Sequence, residues 1–225
     1  MPSPRTLIRI IHFALNPWML APIAACLWGR WRGGYLYPDW MRLYTKVQVF
    51  DLAQGLVFTG MAMNHRNNQW LRHLTQPVVF AGMLGTLYLM APPRTRNRKI
   101  VYGAYLFIGL VAAVFGAFLD GTTWRNSVFT SVMCLVYLIA VPQELKLLSE
   151  SAEEVWLAAQ PSFWVLSALL VYSSGTLIFN ASSNYFLRSL PPRLVLIPWV
   201  VVGFIHAIHE AMLAKAFLCP KPASS

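Results

Sequence analysis

Two histidines and one carboxylate lie close together near the C-terminal end of the chain, inside a long apolar stretch. On an α-helix, His206 lies one turn from both His209 and Glu210. Two imidazoles and a carboxylate form a ligand set that zinc or iron accepts. His12 and Asp51, each in another apolar stretch, would complete four ligands if their helices packed beside this one. The pattern therefore indicates a candidate metal site.

The same cluster has two interpretations that require no cofactor. In the first, Glu210 and a histidine form a buried hydrogen-bonded pair. In the second, a histidine that titrates near neutral pH changes the balance between two helix packings. In the first interpretation, the candidate partners that would satisfy the Glu210–histidine pair are Asp51, Lys46 and the hydroxyls of Ser173, Ser174 and Thr176. Since the sequence contains no H-E-x-x-H, phosphate-loop or G-x-S-x-G motif, we expect a protein without a cofactor that is not an enzyme, with zinc or iron as the alternative.

A second polar group lies at the start of the third apolar stretch, in residues 64–77. It contains Asn68, Trp70 and His73, which would line an outward-facing recess at a helix mouth, with Pro77 bending the helix just below it. A small ligand with acceptor groups would find hydrogen-bond donors there. The alternative is a hydrated loop that caps a helix.

The composition places these groups in a membrane protein. Of the 225 residues, 57% are hydrophobic and 12% are charged, whereas soluble domains average about 45–50% and about 25%. The formal net charge of +10 is typical of proteins that bind nucleic acid or an anionic membrane surface. The mean hydropathy of +0.51 favours the membrane, so we expect no nucleic-acid partner.

Seven apolar segments are long enough to be membrane spans, which predicts an all-α bundle forming one domain over residues 1–225. Crossings of about 20 residues each would use about 140 positions and leave no room for a soluble domain. The second segment is the most polar, so it is either the most enclosed helix or an interfacial one, which would leave six crossings. The predicted spans are 7–28, 43–63, 74–91, 99–119, 126–142, 162–181 and 194–218.

The distribution of basic residues predicts the orientation of the chain. With seven spans, eleven of the eighteen lysines and arginines fall on the C-terminal side, which places the N-terminus outside and the C-terminus inside a bacterial inner membrane. The cluster at 94–99 would also attract anionic lipid headgroups, at about 1 kcal/mol per basic side chain. On the same side, a solvated turn or short helix is predicted around the acidic residues Glu144, Glu150, Glu153 and Glu154.

Several stretches resemble a group of bacterial seven-helix membrane proteins, which occur freestanding or as the N-terminal membrane half of sensor histidine kinases. The similarity implies a sensory module with its N-terminus outside. Only eight residues follow Phe217, so we expect the signal to pass to a separate protein, such as a kinase. The matching residues are Asn68-Gln69-Trp70-Leu71 with His73 and Pro77, Pro161-Ser162-Phe163-Trp164, Tyr172-Ser173-Ser174-Gly175 with Phe179, Ser183 and Asn184, and Trp199, His206 and the run to Phe217.

These observations together predict a non-enzymatic integral membrane protein, a receptor-like sensory or accessory module. One alternative is an intramembrane metal-dependent hydrolase centred on the last helix. The other is a structural subunit of a larger membrane complex, which nine tryptophans and helix faces of small residues would suit.

Overall fold

The computed structural model describes residues 20–33, 37–64, 67–90, 96–121, 123–151 and 156–219. Within these ranges the chain is entirely helical, without strands, and one turn of 3₁₀-helix, Leu157–Ala159, precedes the sixth helix. The predicted all-α class is confirmed. The seven α-helices are α1 (Leu20–Gly33), α2 (Asp39–Met63), α3 (Gln69–Met90), α4 (Arg96–Leu119), α5 (Ser127–Ser151), α6 (Pro161–Ser189) and α7 (Pro192–Leu218).

Four of these helices are long and apolar enough to cross a membrane, as is typical of a protein embedded in a membrane. They correspond to Asn97–Leu119, Ser127–Glu150, Pro161–Ser189 and Ile197–Leu218. The apolar part of α1, Leu20–Gly29, is shorter, and most of the predicted first span lies outside the described residues. The helices α2 and α3 carry more polar residues, so composition alone does not mark them as spans.

Two helices extend well beyond their predicted ends because polar side chains in the extra turns are buried. Helix α5 continues past Pro142 to Ser151, and Glu144 within this extension is 3% exposed. Helix α6 continues to Ser189, and Asn184 within its extension donates to Asp120 at 2.8 Å. Hydropathy ends a span where polar residues begin, whereas these polar residues have partners inside the bundle.

The helices follow one another around a ring in chain order. Each of α2 to α7 packs on its neighbours in sequence, and α1 packs more extensively on α7 than on α2. Aromatic side chains fill much of the centre, where the ring of Phe80 lies 5.7 Å from those of both Phe129 and Tyr137. Tyr44 of α2 and Phe217 of α7 stack at 6.1 Å. These contacts bring helices from opposite ends of the chain together.

A hydrogen-bond network fixes the start of α5 against the ends of α4 and α6. Gly121 adopts a positive φ of 70° in the turn after α4. The carboxylate of Asp120 then accepts the backbone N–H groups of Ser127 at 2.7 Å and Val128 at 3.2 Å. These are orphan donors of the first helical turn, so Asp120 caps α5. Asn184 also donates to the Arg125 carbonyl at 2.8 Å, which holds Arg125 beside α6.

Candidate functional site

The two histidines and the carboxylate predicted to share one face of the last helix meet at a single oxygen. His206 Nε2 lies 3.1 Å and His209 Nδ1 lies 3.2 Å from Glu210 Oε1. The Glu210 side chain is 3% exposed, while that of His206 is 35% exposed. Each residue has a possible ligand atom within 4.8 Å of the others. The cluster is therefore buried on one side and reachable on the other.

An aromatic side chain from the neighbouring helix holds both imidazoles in place. The ring of Tyr172 on α6 lies 5.6 Å from that of His206 and 5.0 Å from that of His209. Rings at this separation pack against each other, so Tyr172 contributes to the positions of both imidazoles. The orientation of the cluster thus depends on the contact between α6 and α7.

The lysine and the hydroxyls predicted as partners for Glu210 do not hydrogen-bond to it. The hydroxyls of Ser174 and Thr176 bond to carbonyls of their own helix at 2.8 and 2.7 Å. Lys46 is exposed. Ser173 Oγ is buried without a hydrogen-bond partner in the part of the chain that the structure describes. The hydrogen-bond partners of the carboxylate are the two histidines, as local helical spacing favours.

Asp51 of α2 faces this cluster across the ring. It lies within range of electrostatic interaction with His206 and Glu210 on α7, and also with Arg72 on α3. Its carboxylate accepts a hydrogen bond from Gln54 Nε2. The structure thus brings Asp51 near the cluster as the sequence suggested, while His12 lies outside the described residues.

Two arginines that the sequence assigned to the outer loops are turned into the bundle. Arg72 stacks over Phe58, with 4.8 Å between the guanidinium carbon and the ring centroid. Arg125 donates to Asn180 Oδ1 at 2.8 Å and lies over the rings of Phe179 and Trp199. Both packings are cation–π contacts. Sequence reasoning missed them because their aromatic partners are distant along the chain.

These groups form what we call the polar interior, defined as Asp51, Arg72, Arg125, Tyr172, His206, His209 and Glu210. Arg72 interacts electrostatically with Asp51 and Tyr172, and Arg125 interacts with Arg72 and Tyr172. The polar interior therefore connects α2, α3, α6, α7 and the turn before α5. Seven buried atoms in or beside it lack hydrogen-bond partners among the described residues, namely Gln54 Oε1, Arg125 Nε, Arg125 Nη1, Tyr137 Oη, Ser173 Oγ, His209 Nε2 and Glu210 Oε2.

Such unpaired atoms are costly inside a membrane protein. A buried donor or acceptor without a partner costs about 1–3 kcal/mol, and ionisable groups at membrane depth are typically kept for a function. The number of unpaired atoms around one buried carboxylate therefore marks the polar interior as the strongest candidate site.

The predicted outer recess is formed in part. Trp70 and His73 line a cleft of about 340 Å³ between α3 and α4, together with Leu74, Ala113, Val114 and Ala117. Asn68 is not among the lining residues, because its amide donates to the Phe58 carbonyl at 3.0 Å. His73 Nε2 lies 3.2 Å from the Trp124 carbonyl oxygen. Most of the lining is apolar, which suits an acyl chain better than a ligand that needs several donors.

At the opposite end of the helices, Glu144 forms a buried ion pair instead of the predicted solvated turn. Arg98 Nη2 lies 2.7 Å from Glu144 Oε2 and donates to the Leu87 carbonyl at 2.9 Å. Tyr102 donates to Glu144 Oε1 at 2.6 Å. The expectation was wrong for Glu144 because α4 presents both a cation and a hydroxyl to it. We call this group the inner ion pair.

Comparison with protein-family models, curated proteins and solved structures finds no match for the chain. The proposals below therefore rest on the geometry of the polar interior and on the helices that carry it.

Proposed function

We propose that the chain is a non-enzymatic integral membrane protein, a receptor-like sensory or accessory module that signals to a separate partner such as a kinase. The observation that carries the proposal is the polar interior, in which charged groups from α2, α3 and α7 face one another inside the helix ring. Since burying such groups is expensive, their retention is better explained by a function than by stability.

The arrangement gives the bundle two alternative charge pairings. Asp51 interacts with Arg72 on one side and with His206 on the other. A ligand that engages Arg72, or a proton gained by His206, would change which pairing is favoured. Because the partners lie on α3 and α7, the change moves α2 relative to its neighbours. Shifting a two-state helix packing in this way is how a membrane sensor transmits a signal.

We also propose seven crossings of a bacterial inner membrane, with the N-terminus outside and the C-terminus inside. Helices α2 and α3 contain 25 and 22 residues, and at 1.5 Å per residue they span about 37 and 33 Å, enough for a hydrocarbon core of about 30 Å. Arg72 and Arg125 lie toward the proposed outer side, and both pack inside the bundle. This supports the orientation, because it removes two basic groups from the outer surface. Lys99, Lys146 and Lys215 on the proposed inner side are all exposed.

Anionic lipids at the inner side are a further partner that we propose. Exposed Lys99 lies at a cleft of about 360 Å³ between α3 and α4, beside Gly85, Gly103 and Tyr102. An acyl chain would fill the cleft while the phosphate lies near Lys99. Phosphatidylglycerol should raise the thermal stability of the purified protein more than phosphatidylcholine does, and equal effects would contradict this partner.

The test of the signalling proposal compares two carboxylates on the same helix. A deletion strain is complemented with the wild type, Asp51→Asn or Asp39→Asn, each present in the membrane at equal level, and genome-wide transcription is measured. Asp39 is the control because its side chain is 82% exposed and only contacts Arg42 at 3.7 Å. We expect cells with Asp51→Asn to show changed levels of the same transcripts that change in the deletion strain. Cells with Asp39→Asn should show the wild-type pattern.

Two outcomes would overturn the proposal. If Asp51→Asn restores the wild-type pattern, the polar interior does not sense. If the deletion changes no transcripts but lowers the level of other membrane proteins, the chain is a structural subunit of a larger complex.

A metal-dependent hydrolase centred on α7 is the second candidate function. The observation that favours it is the set of ligand atoms that His206, His209 and Glu210 bring within 4.8 Å of one another. Purified protein that hydrolyses ester or amide substrates only when loaded with metal would support the hydrolase, and metal-loaded protein without turnover would contradict it.

A further inference from the structure

Two of the three distances within the α7 cluster come close to those between ligands around a single small metal ion. Zinc binds histidine nitrogen and carboxylate oxygen at about 2.0–2.2 Å, so the edge of a tetrahedron with such bonds measures about 3.3–3.6 Å. The two nitrogen–oxygen separations at Glu210 Oε1 are 3.1 and 3.2 Å. All three ligand atoms lie within 4.8 Å of one another, so ion binding draws the two imidazole nitrogens together where their separation exceeds the tetrahedral edge.

The cluster also contains a buried carboxylate oxygen that no donor satisfies. Glu210 Oε2 is buried and has no hydrogen-bond partner within the described ranges. Since native structures pair most buried polar atoms, this oxygen points to a partner absent from the protein chain alone, and a cation bound to the carboxylate supplies one. With the ion on His209 Nδ1, the proton of that imidazole lies on Nε2.

The surroundings offset part of the charge of a divalent ion. Glu210 contributes one negative charge, and Asp51 on α2 lies within electrostatic range of both Glu210 and His206. Arg72 interacts with Asp51 and adds a positive charge to the same region, so Glu210 is the main counter-charge of the ion. Asp51 is not among the residues whose ligand atoms lie within 4.8 Å of one another, and it acts on the site through its charge.

The cluster is partly open on one side and is packed by an aromatic ring. The His206 side chain is 35% exposed, so the protein does not fully cover the cluster there. Tyr172 packs on both imidazoles, which reduces the entropy lost when the ligands become ordered.

We propose that His206, His209 and Glu210 bind one transition-metal ion, zinc or iron, in the polar interior. The binding of this ion does not depend on the proposed function. Its role, either as the sensed signal or in fixing the helix packing, rests on that function. An ion bound on α7 would attract the carboxylate of Asp51 on α2 and so favour one spacing of these two helices.

The test uses full-length protein purified in mild detergent and stripped with a chelator. Cobalt(II) is the probe, because its visible absorption bands report both binding and coordination geometry. We expect one cobalt per chain, with bands typical of four or five ligands, and we expect zinc to displace it. His209→Ala and Glu210→Gln should each weaken binding by more than the roughly 10–100-fold that loss of a residue supporting a metal ligand costs. Elemental analysis of protein purified without added metal then distinguishes zinc from iron.

The control is His73→Gln, a histidine on α3 outside the cluster whose glutamine can still donate to the Trp124 carbonyl. It should bind cobalt as the wild type does. If Glu210→Gln fails to fold, His206→Asn replaces it, because this side chain is the most exposed of the three. Absence of cobalt bands, or bands that all the cluster variants retain, would overturn the inference.

The outcomes separate the metal site from the proposed function. If no metal binds but Asp51→Asn still alters transcription, only the metal site is wrong. If metal binds and Asp51→Asn has no effect on transcription, the metal site stands and the sensory proposal fails.

Discussion

At the scale of single residues, the buried charges of this protein have two kinds of surroundings. Both oxygens of Glu144 are paired, one with Arg98 and the other with Tyr102. Glu210 instead has two histidines on one oxygen and, among the described residues, no partner on the other. A fully paired carboxylate specifies structure, whereas an incompletely paired one is available for binding. This contrast is why we assign a structural role to the inner ion pair and a functional role to the α7 cluster.

The inner ion pair provides a test of that distinction. Replacing Glu144 with alanine leaves the guanidinium of Arg98, whose side chain is only 10% exposed, without its counter-ion. Breaking a buried pair in this way typically costs about 3–5 kcal/mol. We expect a large drop in the thermal unfolding temperature of the purified protein in detergent.

The matched control for Glu144→Ala is Glu150→Ala on the same helix. Its partner Lys146 lies 3.8 Å away and both side chains are more than half exposed, so the loss should be about 0–1 kcal/mol. Equal losses for the two variants would show that Glu144 does not stabilise the bundle.

Residue spacing predicted part of this site and missed the rest. The grouping of His206, His209 and Glu210 follows from helical periodicity, which is local and readable from sequence. The positions of Arg72 and Arg125 depend on aromatic rings contributed by other helices. Basic residues at the ends of spans normally lie in water, so nothing in the sequence pattern distinguished these two.

At the scale of helices, hydropathy located the elements but not their ends. All seven helices overlap the predicted segments. The unpredicted turns of α5 and α6 contain Glu144 and Asn184, whose partners lie on α4 or in the turn after it. Polar residues can extend a helix only where tertiary contacts satisfy them, and those contacts are not visible in a hydropathy profile.

Two glycines on α4 allow the packing of this helix to be tested with an internal control. A Cβ at Gly109 would overlap the ring of Phe80 from α3, whereas a Cβ at Gly103 would meet nothing within 4 Å. Gly109→Ala should therefore lower the free energy of unfolding by about 1–3 kcal/mol, as overpacking does. Gly103→Ala should leave it unchanged or raise it slightly, because alanine favours helix.

The comparison of these two variants requires only thermal unfolding in the same detergent. Similar unfolding temperatures for Gly109→Ala and Gly103→Ala would contradict the contact between α3 and α4 described above.

At the scale of the whole molecule, the closed ring is the feature that creates the site. Contact between α1 and α7 joins the two ends of the described chain, and the interaction of Asp51 with the α7 cluster crosses the interior of the ring. Sequence reasoning made a meeting of Asp51 and the last helix conditional on how the helices pack, and it had no means to derive the ring order. In membranes, helix pairs are selected by side-chain packing and polar contacts that depend on three-dimensional arrangement.

The central claim is that α2 crosses the membrane and carries Asp51 into an enclosed polar interior. The direct measurement is cysteine labelling with a membrane-impermeant maleimide, using Asn67→Cys beyond the end of α2 and Asp39→Cys at its start. Both positions are exposed, while the native Cys26, Cys134 and Cys219 are buried. We predict that Asn67→Cys is labelled in intact spheroplasts and Asp39→Cys only after permeabilisation. Labelling of both positions from the same side would show that α2 does not cross, and would contradict the account.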